Sequence, residues 1–324
     1  MPNEEQNARE TLQLEPGTLW DKAIAQTKHA KSCGALQFLP TEYEFIEQGG
    51  INFLVRVLPH LERKDEAKKK QDKDTTNLGK DFNPFLPYEK DLFVADISDT
   101  HLCLLNKFSI IDHHLLIVTR TFEEQETWLT LQDFEAMWAC LNEIDGLVFY
   151  NGGKTAGASQ RHKHLQLVPL PLVEQGLKIP IEPAIASVIF QDSVGTTTRF
   201  PFVHAIAKLD FHPEKSPLSS ASSTFECYHN LLCAVGLISD TPVSGERQSG
   251  AYNLLATRSW MLIVPRANEC FSDISVNSLG FAGTLVVRSA EQMKLLKDKS
   301  PMTVLTSVAV VHSQFKSRNS QSAK

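Results

Sequence analysis

One run, NGGKTAGASQRHKHLQLVPLP at 151–171, constrains this chain more than any other. Its first half is built of small residues. Gly152, Gly153 and Gly157 permit tight turns and close backbone approach, and successive backbone N–H groups in such a loop can converge on an anion. Its second half alternates. Residues two apart share one face of a β-strand, so His162, His164 and Gln166 line one side while Leu165 and Leu167 face a core. The run therefore demands a strand that presents two imidazoles and an amide beside an anion cradle. Gly153-Lys154-Thr155 mimics the end of a P-loop, but Val148 stands where that motif opens with Gly. The three glycines do not fit a dinucleotide fingerprint either.

Composition narrows the partners. The chain has 324 residues, 42% of them hydrophobic and 22% charged, values of an ordinary globular protein. Its length suits about two domains or one large α/β unit. Net charge −6 supplies no overall basic field, so nucleic acid is not an expected partner. No apolar run approaches the roughly 20 residues of a membrane helix; the longest, 114–118 and 304–311, are of strand length. The acidic start, MPNEE, has no hydrophobic leader segment. Cysteines at 33, 103, 140, 227, 233 and 270 form no Cys-x-x-Cys pair and read as scattered thiols. A cytoplasmic protein is expected, and a monomer, since no helical zipper calls for a dimer.

Local patterns place the elements around the run. Trp20, Ile24, Thr27 and Ala30 recur at helical spacing, with Thr18 as N-cap and Gly34 as stop. Strands are expected at 51–58, 92–95, 103–105, 115–119 and 147–150. The prolines of 83–87 mark a loop. The charge run 62–74 reads as a solvated face. Trp128, Leu131, Phe134, Trp138 and Leu141 predict a helix over 121–142, ended by Gly146. The Ser-rich stretch 215–224 reads as a surface loop. An internal echo links 105–120 (LNKFSIIDHHLLIVTR) with 252–266 (YNLLATRSWMLIVPR), each an apolar strand ending in Arg. It is either coincidence or a duplicated αβ unit that kept its chemistry once. The expected divisions are a flexible segment 1–16, an N-terminal part 17–200, a C-terminal part 201–310 and a flexible tail 311–324.

An imidazole row beside an anion cradle suits chemistry at phosphorus, because neutral imidazole is an effective nucleophile near pH 7. A His-x-His pair on a strand also occurs in metal sites. Here a third ligand is missing at the matching position, and Gln166 is a poor zinc ligand. His113 and His114 remain open as further ligands.

The HKHLQ run behind its Asn-Gly-rich-Ser-Gln loop resembles the transferase branch of the histidine-triad superfamily, in which Gln replaces the third histidine. It is most similar to the diadenosine tetraphosphate phosphorylase, or ATP adenylyltransferase, family. NKFSIIDHHLLIVT (106–119), FYNGGKTAGASQRHKHLQ (149–166), YNLLATRSWMLIVPR (252–266) and SVNSLGFAGTLVVR (275–288) carry the similarity. The resemblance implies an α+β fold, an antiparallel histidine-triad-like sheet flanked by helices with a second, degenerate half. It implies phosphorolysis of diadenosine tetraphosphate to ATP and ADP through an adenylylated His164. His162 and Gln166 would flank the phosphate, and Gly157, Ala158, Ser159 and Gln160 would cradle the polyphosphate. Asn151 would orient the site. Lys64, Asn106, Lys107, Asn277, Ser278, Leu279, Thr284 and Arg288 match substrate-contacting positions.

Ala158 departs from the family's Ser, leaving its backbone N–H to serve. Thr284 and Arg288 stand in for Met and Lys. The resemblance further implies a magnesium-type cation travelling with the polyphosphate, no metal ligands in the protein, no organic cofactor, and nucleotides and phosphate as partners. Hexose-1-phosphate uridylyltransferases usually bring a Cys-x-x-Cys pair, and dinucleotide hydrolases keep the third histidine; this chain does neither. Outside enzymes, a nucleotide-binding sensor or a metal-binding module are the alternatives.

Overall fold

The structure, a computed structural model, describes residues 12–58, 83–239 and 247–313. In chain order the elements are α1 (Leu19–Cys33), β1 (Glu42–Gln48), β2 (Ile51–Val57), β3 (Phe93–Asp96), β4 (His101–Leu105), β5 (Leu115–Thr119) and α2 (Leu131–Glu143). There follow β6 (Gly146–Gly152), β7 (His164–Pro169), α3 (Glu182–Ile185), β8 (Ile189–Gln191), β9 (Val194–Thr196), β10 (Ala205–Lys208) and α4 (Pro217–Ala234). The last are β11 (Tyr252–Ala256), β12 (Trp260–Pro265), β13 (Cys270–Phe271), β14 (Ile274–Ser275), α5 (Ser278–Phe281), β15 (Thr284–Val287), α6 (Ala290–Lys299) and α7 (Pro301–Val308). Among the described residues no helix is long and apolar enough to cross a membrane.

A ten-stranded antiparallel sheet, ordered β3-β4-β5-β7-β6-β11-β12-β10-β9-β8, carries the molecule. Strand alternation divides its side chains between two cores. Leu115, Ile117, Leu165, Leu167, Val148 and Tyr150 join Leu19, Phe134, Trp138 and Leu231 beneath α1, α2 and α4. Leu147, Phe149 and Val168 face the other way, onto Phe53, Leu54, Phe281, Leu285 and Val304. That second layer is a small sheet, β1-β2-β15, with β15 parallel to β2, together with the helices of the C-terminal segment.

The sheet order contains its own repeat. The unit β5–α2–β6–β7 is followed by β10–α4–β11–β12, and the two abut where β6 pairs with β11. This corrects the register of the echo, since Tyr252 to Pro265 occupies the place of β6 and β7, not of 105–120. Counting back from the strand-ending prolines, Pro169 and Pro265, the second unit places Trp260 where the first has His164, and Leu262 where it has Gln166. The second half is therefore degenerate in its chemistry.

Three local expectations change. The helix expected over 121–142 begins at Leu131, because a capping box between Thr130 and Asp133 starts it there. Residues 121–130 instead form a strap whose backbone bonds to 161–163 and 248. The Ser-rich stretch is the first half of α4: Ser216 caps it, Pro217 sits in its first turn, and its small residues let it lie against α2, where Thr224 accepts a bond from Trp138 Nε1 at 2.8 Å. The 304–311 stretch is mostly helix, with Pro301 opening α7 and Val304, Leu305 and Val308 on its buried face. At the start of α1, Thr18 makes no capping bond; Glu143 accepts from Leu19 N at 2.9 Å, while Gly34 ends the helix in the left-handed conformation as expected.

Candidate active site

Between the large sheet and the C-terminal segment lies a cleft of about 1530 Å³. The glycine loop, β7, the β4–β5 connection and residues 275–288 line it. His164 lies on its wall. The residue is 5% exposed, and its Nδ1 is 2.8 Å from the backbone oxygen of His162. A carbonyl oxygen only accepts, so Nδ1 carries the proton and Nε2 keeps its lone pair. Burial pulls the ring's pKa down to about 4, against the raising effect of that same hydrogen bond. At neutral pH it is an unprotonated imidazole in one fixed tautomer.

Gln125 fixes the strand that carries it. This buried amide accepts from His164 N at 2.9 Å through Oε1. Its Nε2 donates to the carbonyls of Asn151 at 3.0 Å and His164 at 3.2 Å. Lys163, between the two histidines, points to the opposite face of the strand and is fully buried. Its ammonium lies 2.7 Å from Asp133 Oδ2 and donates to Trp128 O at 3.0 Å. Burial would raise the Asp133 pKa, but hydrogen bonds and charge from His101 and Lys163 hold it well below the usual carboxylate range.

The remaining wall is fastened by Arg266 and Asn253. Arg266 is 5% exposed, and its hydrogen-bond partners are an amide and backbone carbonyls. It donates to Asn253 Oδ1 at 2.5 Å and to the carbonyls of Val276, Val308, Asn268 and Glu269 at 2.7–3.2 Å. Burial lowers its pKa to about 10, which leaves it charged at neutral pH. Asn253 Nδ2 donates to Asn151 Oδ1 and Ala156 O, so the glycine loop and the C-terminal segment hang on one buried cluster. Gly157 sits where they meet. Its φ is +90°, and a Cβ there would stand 2.9 Å from Asn277 Cα.

Comparison with known proteins accords with this architecture. A family described as Ap4A phosphorylase N-terminal domain matches residues 9–187, and the ATP adenylyltransferase C-terminal domain matches 198–311. The chain belongs to the Ap4A phosphorylase family. Diadenosine 5',5'''-P1,P4-tetraphosphate phosphorylase 2 of Saccharomyces cerevisiae is 27% identical over 304 residues, covering 86% of this chain and 88% of that protein. Protein APA1 of the same yeast is 28% identical, covering 84% and 87%. The crystal structure of yeast Ap4A phosphorylase Apa2 in complex with Ap4A shares the fold, with TM-score 0.74 and 22% identity over 91% of this chain and 98% of that one.

In this Ap4A phosphorylase-family chain the cleft gathers most of the residues singled out in the sequence. His164, Gln166, Asn106, Lys107, Asn151, Gly157, Ala158, Ser159, Gln160, Asn277, Leu279, Thr284 and Arg288 all line it. Lys64 lies outside the described residues. Two others are elsewhere. His162 is 1% exposed, and both its ring nitrogens are engaged, by Asn83 Nδ2 at 2.8 Å and by the carbonyl and hydroxyl of Thr119 at 2.8 and 2.9 Å. It does not flank the cleft, and its contribution to His164 is its carbonyl. Ser278 is buried and donates through Oγ to Tyr150 O and Asn151 Oδ1.

The loop also offers fewer donors than expected. Gly157 N and Ala158 N bond back to Lys154 O and Gly153 O, which leaves the amides of Ser159 and Gln160 to face an anion. Asn277 caps α5 by accepting from Leu279 N. The hydroxyl of Thr284, 2% exposed, finds no partner in the described protein.

Gln125 escaped the sequence reading, as did the linking roles of Arg266, read as a strand end, and of Asn253, read as a cap of the second strand. Among the described residues, one trio of metal-ligand type lies together, the exposed His29, Cys33 and Asp91, at the end of α1. His113 turns toward α1, 3.0 Å from Thr27 Oγ1, while His114 enters the cleft.

Proposed function

We propose that this chain phosphorolyses diadenosine tetraphosphate to ATP and ADP through a covalent adenylyl intermediate on His164. The carrying observation is the His164 ring: neutral, held in one tautomer by the His162 carbonyl, and placed on the wall of a cleft large enough for a dinucleotide. Nε2 attacks the α-phosphorus, a P–N bond forms, and the bond from that phosphorus to the β-bridging oxygen breaks, releasing ATP. A phosphate oxygen then attacks the same phosphorus. The P–N bond breaks, the lone pair returns to Nε2, ADP leaves, and the proton of the incoming hydrogen phosphate passes to solvent. Charge stabilisation in such a transfer comes from oriented donors more than from acid–base groups. The amides of Ser159 and Gln160, the Gln166 side chain, Lys107 and Arg288 supply them.

A magnesium-type cation fits this site as cargo of the polyphosphate. On the cleft wall Glu124, Glu126 and Glu89 are paired with Arg161, Arg247 and Lys107; what the ion supplies is partial neutralisation of the phosphate oxygens. We place the enzyme in the cytoplasm as a monomer; its six free thiols suit a reducing compartment.

Incubation with diadenosine tetraphosphate labelled at the α-phosphorus tests the mechanism. Label should appear on the protein without phosphate and in ADP when phosphate is added. A His164→Gly protein should show neither; normal turnover by that variant would refute the assignment.

A further inference from the structure

The amide of Gln166 has two ends of nearly equal shape and opposite polarity. With its NH2 toward an incoming phosphate it attracts; turned over, its oxygen repels. What meets the other end decides. Gln166 Oε1 lies 3.0 Å from His114 Nε2. Resting on the function proposed above, we infer that His114 is the positioning residue that holds Gln166 as a pure hydrogen-bond donor, and so selects an anionic acceptor over water.

The polarity can be traced from a group that cannot turn over. The backbone N–H of Phe108 donates to Asn106 Oδ1 at 3.3 Å, so Asn106 offers its NH2 to the next partner. That partner is His114 Nδ1, at 3.2 Å. Nδ1 therefore accepts and Nε2 carries the ring proton. Nε2 donates to Gln166 Oε1, and the Gln166 NH2 is left for the cleft. The ring is 7% exposed and lies against Phe149 with centroids 5.8 Å apart. The backbone bond from Asn106 N to His114 O, 2.8 Å, closes the loop that carries both. Burial, the largest influence, lowers the His114 pKa to about 4, so the ring has one N–H and the relay runs in one direction.

His114 and His164 thus hold opposite tautomers. His164 is protonated on Nδ1 and bare on Nε2, fit to attack. His114 is bare on Nδ1 and protonated on Nε2, fit to orient. A phosphate dianion gains from a fixed donor, since hydrogen bonds to charged groups are the stronger kind. Water, uncharged, gains less. The amide in place of a third histidine is then useful only while its orientation is held.

The test compares ADP and AMP formation from diadenosine tetraphosphate at varied inorganic phosphate, in the full-length wild type, H114F, H114Q, Q166A and H114F/Q166A, with AMP affinity measured for each. In H114F we expect kcat/KM for phosphate to fall roughly ten- to hundredfold, the AMP share of product to rise, and AMP affinity to be kept. H114Q, whose amide can donate from near the position of Nε2, should restore the wild-type partition. In the Q166A background, H114F should add no further loss, whereas a merely structural role would lower activity there too. Wild-type phosphate selectivity in H114F, or its full penalty persisting beside Q166A, would overturn the inference. If H114F does not fold, H114Q decides: retained ADP-to-AMP partition supports the relay, and a shift to AMP refutes it. Failure of the wild type itself to form ADP would instead refute the proposed function.

Discussion

Lowering the pH from about 7 to about 5 should remove at least roughly 6 kcal/mol of folding stability from this protein, chiefly through three imidazoles, with His113 and His162, whose pKa values burial also lowers, acting in the same direction. His114, His164 and His204 are buried, and burial, the largest influence on each, lowers their pKa values to about 4. In the unfolded chain each titrates near 6.5. Between those values the unfolded state binds protons that the native state refuses, so stability falls as pH falls through the window. With about 1.4 kcal/mol per pKa unit, each ring contributes roughly 3 kcal/mol across the whole window and about 2 kcal/mol by pH 5. Against a typical total of about 5–15 kcal/mol, that is between about two fifths and all of the fold's stability. Urea unfolding midpoints at constant ionic strength, at about pH 7.5, 6 and 5, measure this. His204, in the second repeat, donates from Nδ1 to Phe202 O and accepts from Thr197 N, away from the cleft. His204→Gln should reduce the pH slope by up to about a third with the nucleophile untouched. A midpoint flat across the range, or a slope unaltered by that variant, would show that the rings are hydrated or already charged, and the reasoning would fail.

Lys163→Met would leave the Asp133 carboxylate buried with its ammonium partner gone, and should cost about 3–5 kcal/mol by thermal or urea unfolding. A loss below about 1 kcal/mol would mean that His101 and Thr130 together satisfy that carboxylate. Gly157→Ala forces a side chain onto a left-handed φ and against Asn277; strain of about 1–3 kcal/mol should push the glycine loop from the opposite wall. KM for diadenosine tetraphosphate should rise, and an unchanged KM would mean that the loop does not shape the nucleotide site.

What the sequence disclosed was set by period and chemistry. The alternation of His164, Leu165, Gln166 and Leu167 assigns two faces without reference to anything distant, and the structure has Leu165 and Leu167 in the helix-side core with Gln166 in the cleft. The stop at Gly34 is equally local. His162 fits the same alternation, yet its ring is claimed by Asn83 and Thr119, partners 79 and 43 residues away. Gln125 lies in a segment whose apolar spacing imitates a helix, and only the Thr130 cap reveals that it is a strap. Arg266 reads as the end of a strand; that it gathers the carbonyls of Ala156, Asn268, Glu269, Val276 and Val308 follows from topology alone. The tie between His114 and Gln166 depends on the β5–β7 register, in which Leu116 stands opposite Gln166.

The Arg266 cluster also has a bearing on synthesis. The guanidinium is satisfied partly by Val308 O, near the end of α7, and by Val276 O ahead of α5. A ribosome-bound chain that has released everything through Arg266 already owns its nucleophile, its glycine loop and the arginine itself. It still lacks residues 275–288 on the far side of the cleft, and of the acceptors around that buried charge it has only Asn253 Oδ1 and Ala156 O. A complete cleft therefore requires the segment that runs on to α7, and a chain that stopped after Arg266 would keep His164 and the glycine loop without the wall that residues 275–288 supply.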